Sequence, residues 1–244
     1  MMILQAEHIT KAYGDNQVLQ DISIHLEEGE LVCVLGVSGV GKTTLFNILS
    51  GLVLPDRGEI LLENEDITGK TGNLSYMLQK DLLLQHKTVL DNVALPLVLK
   101  GVKKKAAREQ AAAYFKQFGL EGTELKYPSQ LSGGMRQRAA LLRTYMCGDR
   151  VALLDEPFSA LDTLTRTAVQ EWYLGVMEEI KLSTLFITHD IDEAILLSDR
   201  IYIMSGKPAI ISEELVIEEP KPRDGEFLLS DTFLAYKRKI KSLL

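Results

Sequence analysis

The chain has 244 residues, of which 46% are hydrophobic and 25% charged, with a formal net charge of −7. Such a length suits one large domain or two small ones, and such a composition suits a globular protein with a real core. The acidic balance argues against wholesale nucleic-acid binding, which needs a basic footprint.

Residues 18–26 alternate, with Ile22, Ile24 and Leu26 on one side and Ser23 and His25 between them, which predicts a half-buried strand. After the turn Glu28-Gly29-Glu30, residues 31–35 are all apolar, as expected of a strand buried on both faces. A glycine-rich loop follows at 36–41, then an apolar helix over 42–50 closed by Gly51. Pro55-Asp56-Arg57-Gly58 is a turn, and residues 59–63 and 73–79 are further strand candidates.

From 88 to 118 the signals are mostly helical. Ala107, Ala111, Tyr114, Phe115 and Phe118 recur at helical spacing until Gly119, while Lys103-Lys104-Lys105 reads as a solvated face. Residues 80–130 are therefore read as a helical insertion. Next comes LSGGMRQR, residues 131–138. Ser132 suits a helix N-cap, but Gly133 and Gly134 weaken a first turn. Two glycines there are explained by a backbone that must approach a ligand closely. Met135, Ala139, Leu142 and Met146 give that helix one apolar stripe.

Residues 151–154, 184–188 and 200–204 are short apolar strands, and residues 223–244 read as a short C-terminal helix. Strands alternating with helices imply an α/β fold with a largely parallel sheet, which binds ligands at the C-terminal ends of its strands. The opening MMILQAEHIT lacks the basic and apolar regions of a signal peptide, and no run of about 18 apolar residues suggests a membrane span. Cys33 and Cys147 lie in apolar surroundings and read as buried, reduced thiols.

GVSGVGKT, residues 36–43, fits G-x-x-x-x-G-K-[ST] between a buried strand and a helix. Gly36, Gly39 and Gly41 let backbone N–H groups curl around phosphate oxygens, and the helix adds its positive end. Lys42 can reach the β- and γ-phosphates, and the Thr43 hydroxyl can bind Mg²⁺. VALLDEP, residues 151–157, is an apolar strand ending in two acids. Asp155 is placed to help hold Mg²⁺, and Glu156 to orient or deprotonate an attacking water. A small-molecule kinase would not need that second acid. His189 and Gln79 each end a strand on the same sheet edge, where His189 can touch a γ-phosphate and Gln79 the Mg²⁺ or the water.

Taken together, residues 3–212 resemble the ATP-binding subunit of ABC transporters. GVSGVGKT matches Walker A, Gln79 the Q-loop, LSGGMRQR the signature (with Met135 where Gln is usual), and VALLDEP Walker B with its catalytic glutamate. Ser159-Ala160-Leu161-Asp162 matches the D-loop, His189 the switch histidine, and Tyr13 the aromatic residue that stacks on adenine. The resemblance implies a P-loop NTPase core with a mainly parallel sheet, an N-terminal antiparallel β part and a helical subdomain at about 80–130. It implies one domain over 1–212 and a short extension over 213–244.

For the site, the resemblance implies ATP contacts from Tyr13, Gly36, Val37, Ser38, Gly39, Val40, Gly41, Lys42, Thr43 and Thr44. Metal contacts would come from Thr43, Gln79 and Asp155, and catalysis from Glu156, His189 and Gln79. Ser132, Gly133 and Gly134 would cap ATP held by a second subunit, and Asp162 would serve that dimer contact. The expected assembly is therefore a homodimer around two ATP and Mg²⁺, peripheral on the cytoplasmic face of the membrane. Its partners would be an integral permease docked on residues 80–130 and, indirectly, a solute-binding protein, with no nucleic acid. TVLDNVALPL and DEPFSALDTLTR look like importers of the nitrate, sulfonate, taurine or pyrimidine-precursor type, although Gln85-His86-Lys87 and Arg143-Thr144-Tyr145 depart from that group. The alternative is a non-transport ATPase of this family acting on an envelope complex, ribosome or DNA.

Overall fold

A computed structural model describes residues 1–159, 163–221, 223 and 225–244. The chain opens with β1 (Met2–Tyr13) and β2 (Asn16–Glu27), which pair antiparallel. Alternation had revealed only the second of them. In β1 the period is broken by register shifts, one of them between Ala6 and Ile9 where His8 takes φ 55°. A bulge of this kind moves apolar residues from one face to the other in sequence while keeping them on one face in space.

The buried strand β3 (Leu31–Leu35) runs into the glycine-rich loop and α1 (Lys42–Leu49). Then come β4 (Arg57–Leu62), β5 (Glu65–Asp66) and β6 (Ser75–Met77). The strand expected over 73–79 is only those last three residues, because it pairs with a single neighbour from Ser75 to Met77. Four helices follow: α2 (Val89–Val93), α3 (Leu95–Leu99), α4 (Lys104–Ala112) and α5 (Gly133–Tyr145). The helical run expected through 118 ends at Ala112, yet Phe115 and Phe118 are buried as their spacing required.

The rest alternates: β7 (Val151–Asp155), α6 (Thr163–Ile180), β8 (Ser183–Thr188), α7 (Ile191–Leu197) and β9 (Arg200–Ser205). A strand not foreseen in the sequence, β10 (Ile210–Val216), pairs antiparallel with β9, so the expected boundary at 212 falls inside it. The tail forms two helices rather than one, α8 (Gly225–Leu228) and α9 (Asp231–Leu243), the latter capped by Ser230.

Among the described residues, the main sheet runs β10-β9-β3-β8-β7-β6, parallel except for β10, and β2-β1-β4-β5 form an antiparallel sheet. Residues of β3 divide two cores between them. Leu31, Cys33 and Leu35 join the helical layer, while Val32 and Val34 join α1 and the antiparallel sheet. That double burial explains the unbroken apolar run. Cys33 is buried and Cys147 half-buried, both as free thiols. No helix is long and apolar enough to cross a membrane among the described residues.

Candidate active site

The phosphate loop leaves the C-terminal end of β3 at the centre of the sheet. Its shape requires glycine at two points. Gly41 caps α1 with φ 121°, and a Cβ there would stand 3.0 Å from Leu19 Cδ2. A Cβ on Gly36 would stand 2.6 Å from the Met204 carbonyl oxygen of β9. Lys42 is buried, and its ammonium donates to Gly36 O at 2.7 Å and Val37 O at 3.1 Å. Burial pushes its pKa down. Val37 and Ser38 are exposed and Thr44 borders the cleft, whereas the Val40 side chain is in the core. Val40 can thus offer a ligand its backbone only.

Adjacent β7 delivers the two acids. Thr43 Oγ1 donates to Asp155 Oδ2 at 3.2 Å, and burial raises the Asp155 pKa. Tyr76 OH lies 3.5 Å from the same carboxylate oxygen and 3.4 Å from Asn47 Oδ1. Tyr76 was not singled out in the sequence. Its signal was faint: a polar ring in a strand, three residues before Gln79.

Glu156 turns sharply out of β7 with φ 46°, a conformation uncommon for a residue with a side chain and concentrated at functional sites. The turn is fixed by Glu156 N donating to Ile187 O at 3.0 Å and by Ser159 Oγ donating to Glu156 O at 3.0 Å. It sends the carboxylate between two partners. Gln79 Nε2 donates to Oε2 at 3.0 Å, and His189 Nδ1 lies 3.1 Å from Oε1. The three side chains given catalytic roles in the sequence therefore form one contiguous cluster.

Tyr13 ends β1 half-exposed at the rim of the cleft, with Lys11 Nζ 5.5 Å from its ring centroid. The cleft encloses about 1280 Å³ and is bordered by Tyr13, Lys42, Gln79, Gly133, Glu156 and His189 among others. In α5, Ser132 is an exposed N-cap accepting from Met135 N at 3.3 Å; Gly133 is exposed and Gly134 buried. Of the three, Ser132 and Gly133 are exposed, and Gly134, like Val40, has only its backbone to offer. The buried Gln137 of α5 donates to Pro157 O, next to Glu156, a tie that sequence reasoning missed. Asp162 lies outside the described residues.

A buried parallel strand, a glycine-rich loop and a helix, joined to a second strand ending in acids, define a P-loop nucleotide-binding fold. The chain belongs to the ABC transporter family, which its residues 19–159 match. It is 44% identical over 207 residues to the formylaminopyrimidine import ATP-binding protein of Halalkalibacterium halodurans, covering 84% of this chain and 81% of that one. It is 39% identical to the aliphatic sulfonates import ATP-binding protein of Bacillus cereus, over 96% of this chain and 91% of that one. With the nitrate import ATP-binding protein of Synechocystis the identity is 37%, over 95% and 89%. A solved dimeric ATP-binding cassette, described as a post-hydrolysis state with ADP and Pi, superposes with TM-score 0.76 at 28% identity, over 89% of this chain and all of that one.

Proposed function

We propose that this chain is the ATP-hydrolysing subunit of an importer, working as a pair with two ATP between the copies and docked on an integral membrane permease. The observation that carries the reading is the Gln79–Glu156–His189 cluster beside the phosphate loop. A kinase would need to exclude water there, whereas this site aims a carboxylate into an open cleft.

In this reading Tyr13 stacks on the base, and the amides of 36–44 with Lys42 receive the phosphates. On nucleotide binding the Lys42 ammonium exchanges the Gly36 and Val37 carbonyls for phosphate oxygens. Glu156 accepts the proton of the attacking water, and His189 steadies the γ-phosphate oxygens. The oxygens of Thr43 and Asp155, 3.2 Å apart, suit a hard cation that takes its remaining ligands from phosphates, water and Gln79. Mg²⁺ there would neutralise charge on the β- and γ-phosphates. Ser132 and Gly133, both exposed at the N-terminus of α5, would complete the partner's site.

The relatives above are named for import of three different solutes, which supports an importer without selecting a solute. A solute-binding protein outside the membrane and a cytoplasmic location follow from the same reading. The test is Mg²⁺-dependent ATP hydrolysis by the purified chain, together with its capture from native membranes. Co-purification of an integral membrane protein is expected. Ribosomes or DNA in its place would overturn the transport reading.

A further inference from the structure

Beyond β10 the chain has no assigned role, yet its contacts converge on one short helix. α7 spans Ile191–Leu197 and starts two residues after His189. Its first turn is capped by Asp190, which accepts from Asp192 N at 2.9 Å and Glu193 N at 3.2 Å. Glu193 is buried and accepts from Thr188 Oγ1 at 2.6 Å and Gln170 Nε2 at 3.0 Å.

The tail grips both ends of this helix. At the C-terminal end, Arg223 is 7% exposed and donates through Nη1 to Ile195 O at 2.7 Å and Ser198 O at 2.6 Å. Its Nε and Nη2 donate to Glu219 O at 2.9 and 2.7 Å, which folds the tail around the guanidinium. Carbonyls at a helix end lack intrahelical partners, and a cation there also meets the negative end of the helix dipole. At the N-terminal end, Lys237 of α9 donates to Asp192 Oδ2 at 2.8 Å. α9 is itself seated by Phe233 and Ile240, both buried. Phe227, Leu228, Tyr236 and Leu243 pack against the same core, so apolar cover does not depend on the two cations, which add a hold on α7 in particular.

We infer that the tail is a clamp on α7 that positions His189 against Glu156, with Arg223 and Lys237 as positioning residues. This rests on the role proposed above for His189. A seven-residue helix moves as one short rod, so loosening either end displaces the residue just ahead of it. A displacement on the order of 1 Å at reacting groups lowers rate far more than it lowers ligand binding.

The test compares Arg223→Ala, Arg223→Lys, Lys237→Ala, His189→Ala and the Arg223→Ala/His189→Ala pair in the full chain. Arg223→Ala should lower kcat about tenfold while KM for ATP stays unchanged. Arg223→Lys keeps the charge with fewer donors and should recover part of the loss. Lys237→Ala should cost about threefold in kcat, a partly exposed ion pair being the weaker hold. Since Arg223 acts through His189, the double variant should be no slower than His189→Ala alone. A lower melting temperature with wild-type kcat in Arg223→Ala would overturn the clamp, as would a double variant slower by the product of the two effects. Should Arg223→Ala not fold, wild-type kcat in Lys237→Ala overturns it equally. If His189→Ala itself hydrolyses ATP normally, the proposed role of His189 fails, and that outcome is distinct from a normal Arg223→Ala beside an impaired His189→Ala.

Discussion

Thr43 Oγ1 donates to Asp155 Oδ2 at 3.2 Å, so the second residue of α1 is tied to the last residue of β7. The carboxylate in this tie is buried, and burial raises its pKa. A carboxyl whose pKa is higher in the folded state favours folding when protonated. That contribution is full below the unfolded pKa and is lost as pH rises through the folded one. At neutral pH the nucleotide-free chain therefore holds a destabilising charge. Asp155→Asn should raise its melting temperature at neutral pH, and the gain should fade as pH falls through the raised folded pKa and be gone below about pH 4, the ordinary aspartate range. Thermal unfolding across that range checks it, and a variant less stable at neutral pH would refute it. The same variant should lose its response to Mg²⁺.

Lys42 presents the same trade with the opposite charge. Burial lowers its pKa, so at neutral pH the ammonium is held at a cost, offset by the Gly36 and Val37 carbonyls. Lys42→Ala should weaken ATP binding by on the order of 10²-fold, the scale of one or two charged hydrogen bonds, and lose turnover with it. Retained tight binding in a calorimetric titration would contradict the assigned contact.

Glu156→Gln keeps the size of the side chain and removes the base. Hydrolysis should fall by roughly 10²–10⁴-fold with ATP affinity intact. Size-exclusion chromatography with ATP should then show a persistent dimer. Near-normal hydrolysis would take Glu156 out of catalysis.

Gly133 is the exposed first residue of α5 and Gly134 is buried, so the first is the cleaner probe of the partner's site. An acid at a helix start gains about 0.3–1 kcal/mol from the dipole. Gly133→Asp should thus leave the monomer as stable as before and able to bind ATP. Its carboxylate should repel the partner's γ-phosphate, blocking ATP-dependent dimerisation and hydrolysis. Normal dimer formation would place the signature elsewhere.

The parts of this molecule legible in its sequence are those specified by local chemistry. β3, its loop and α1 could be read because the strand is buried on both faces and the loop needs glycine at Gly36 and Gly41. β7 could be read for the same reason, with its acids lying where the apolar run stops. What stayed hidden is specified by distant partners. The bulges of β1 answer to β2 and β4, and β10 exists only against β9. Tyr76 meets Asp155 across 79 positions, and Arg223 meets Ile195 across 28. No short window contains both ends of such a contact.

Both oxygens of Glu156 are already spoken for, Oε2 by Gln79 and Oε1 by His189. Each oxygen keeps a second lone pair, so these two neighbours do not exhaust the base but fix where it points. Under the reading proposed here, what a solitary copy lacks is the partner's Ser132 and Gly133 over its nucleotide. Fuel would be spared until a second copy supplies them, and a permease pressing on the segment that carries Gln79 would re-aim the base.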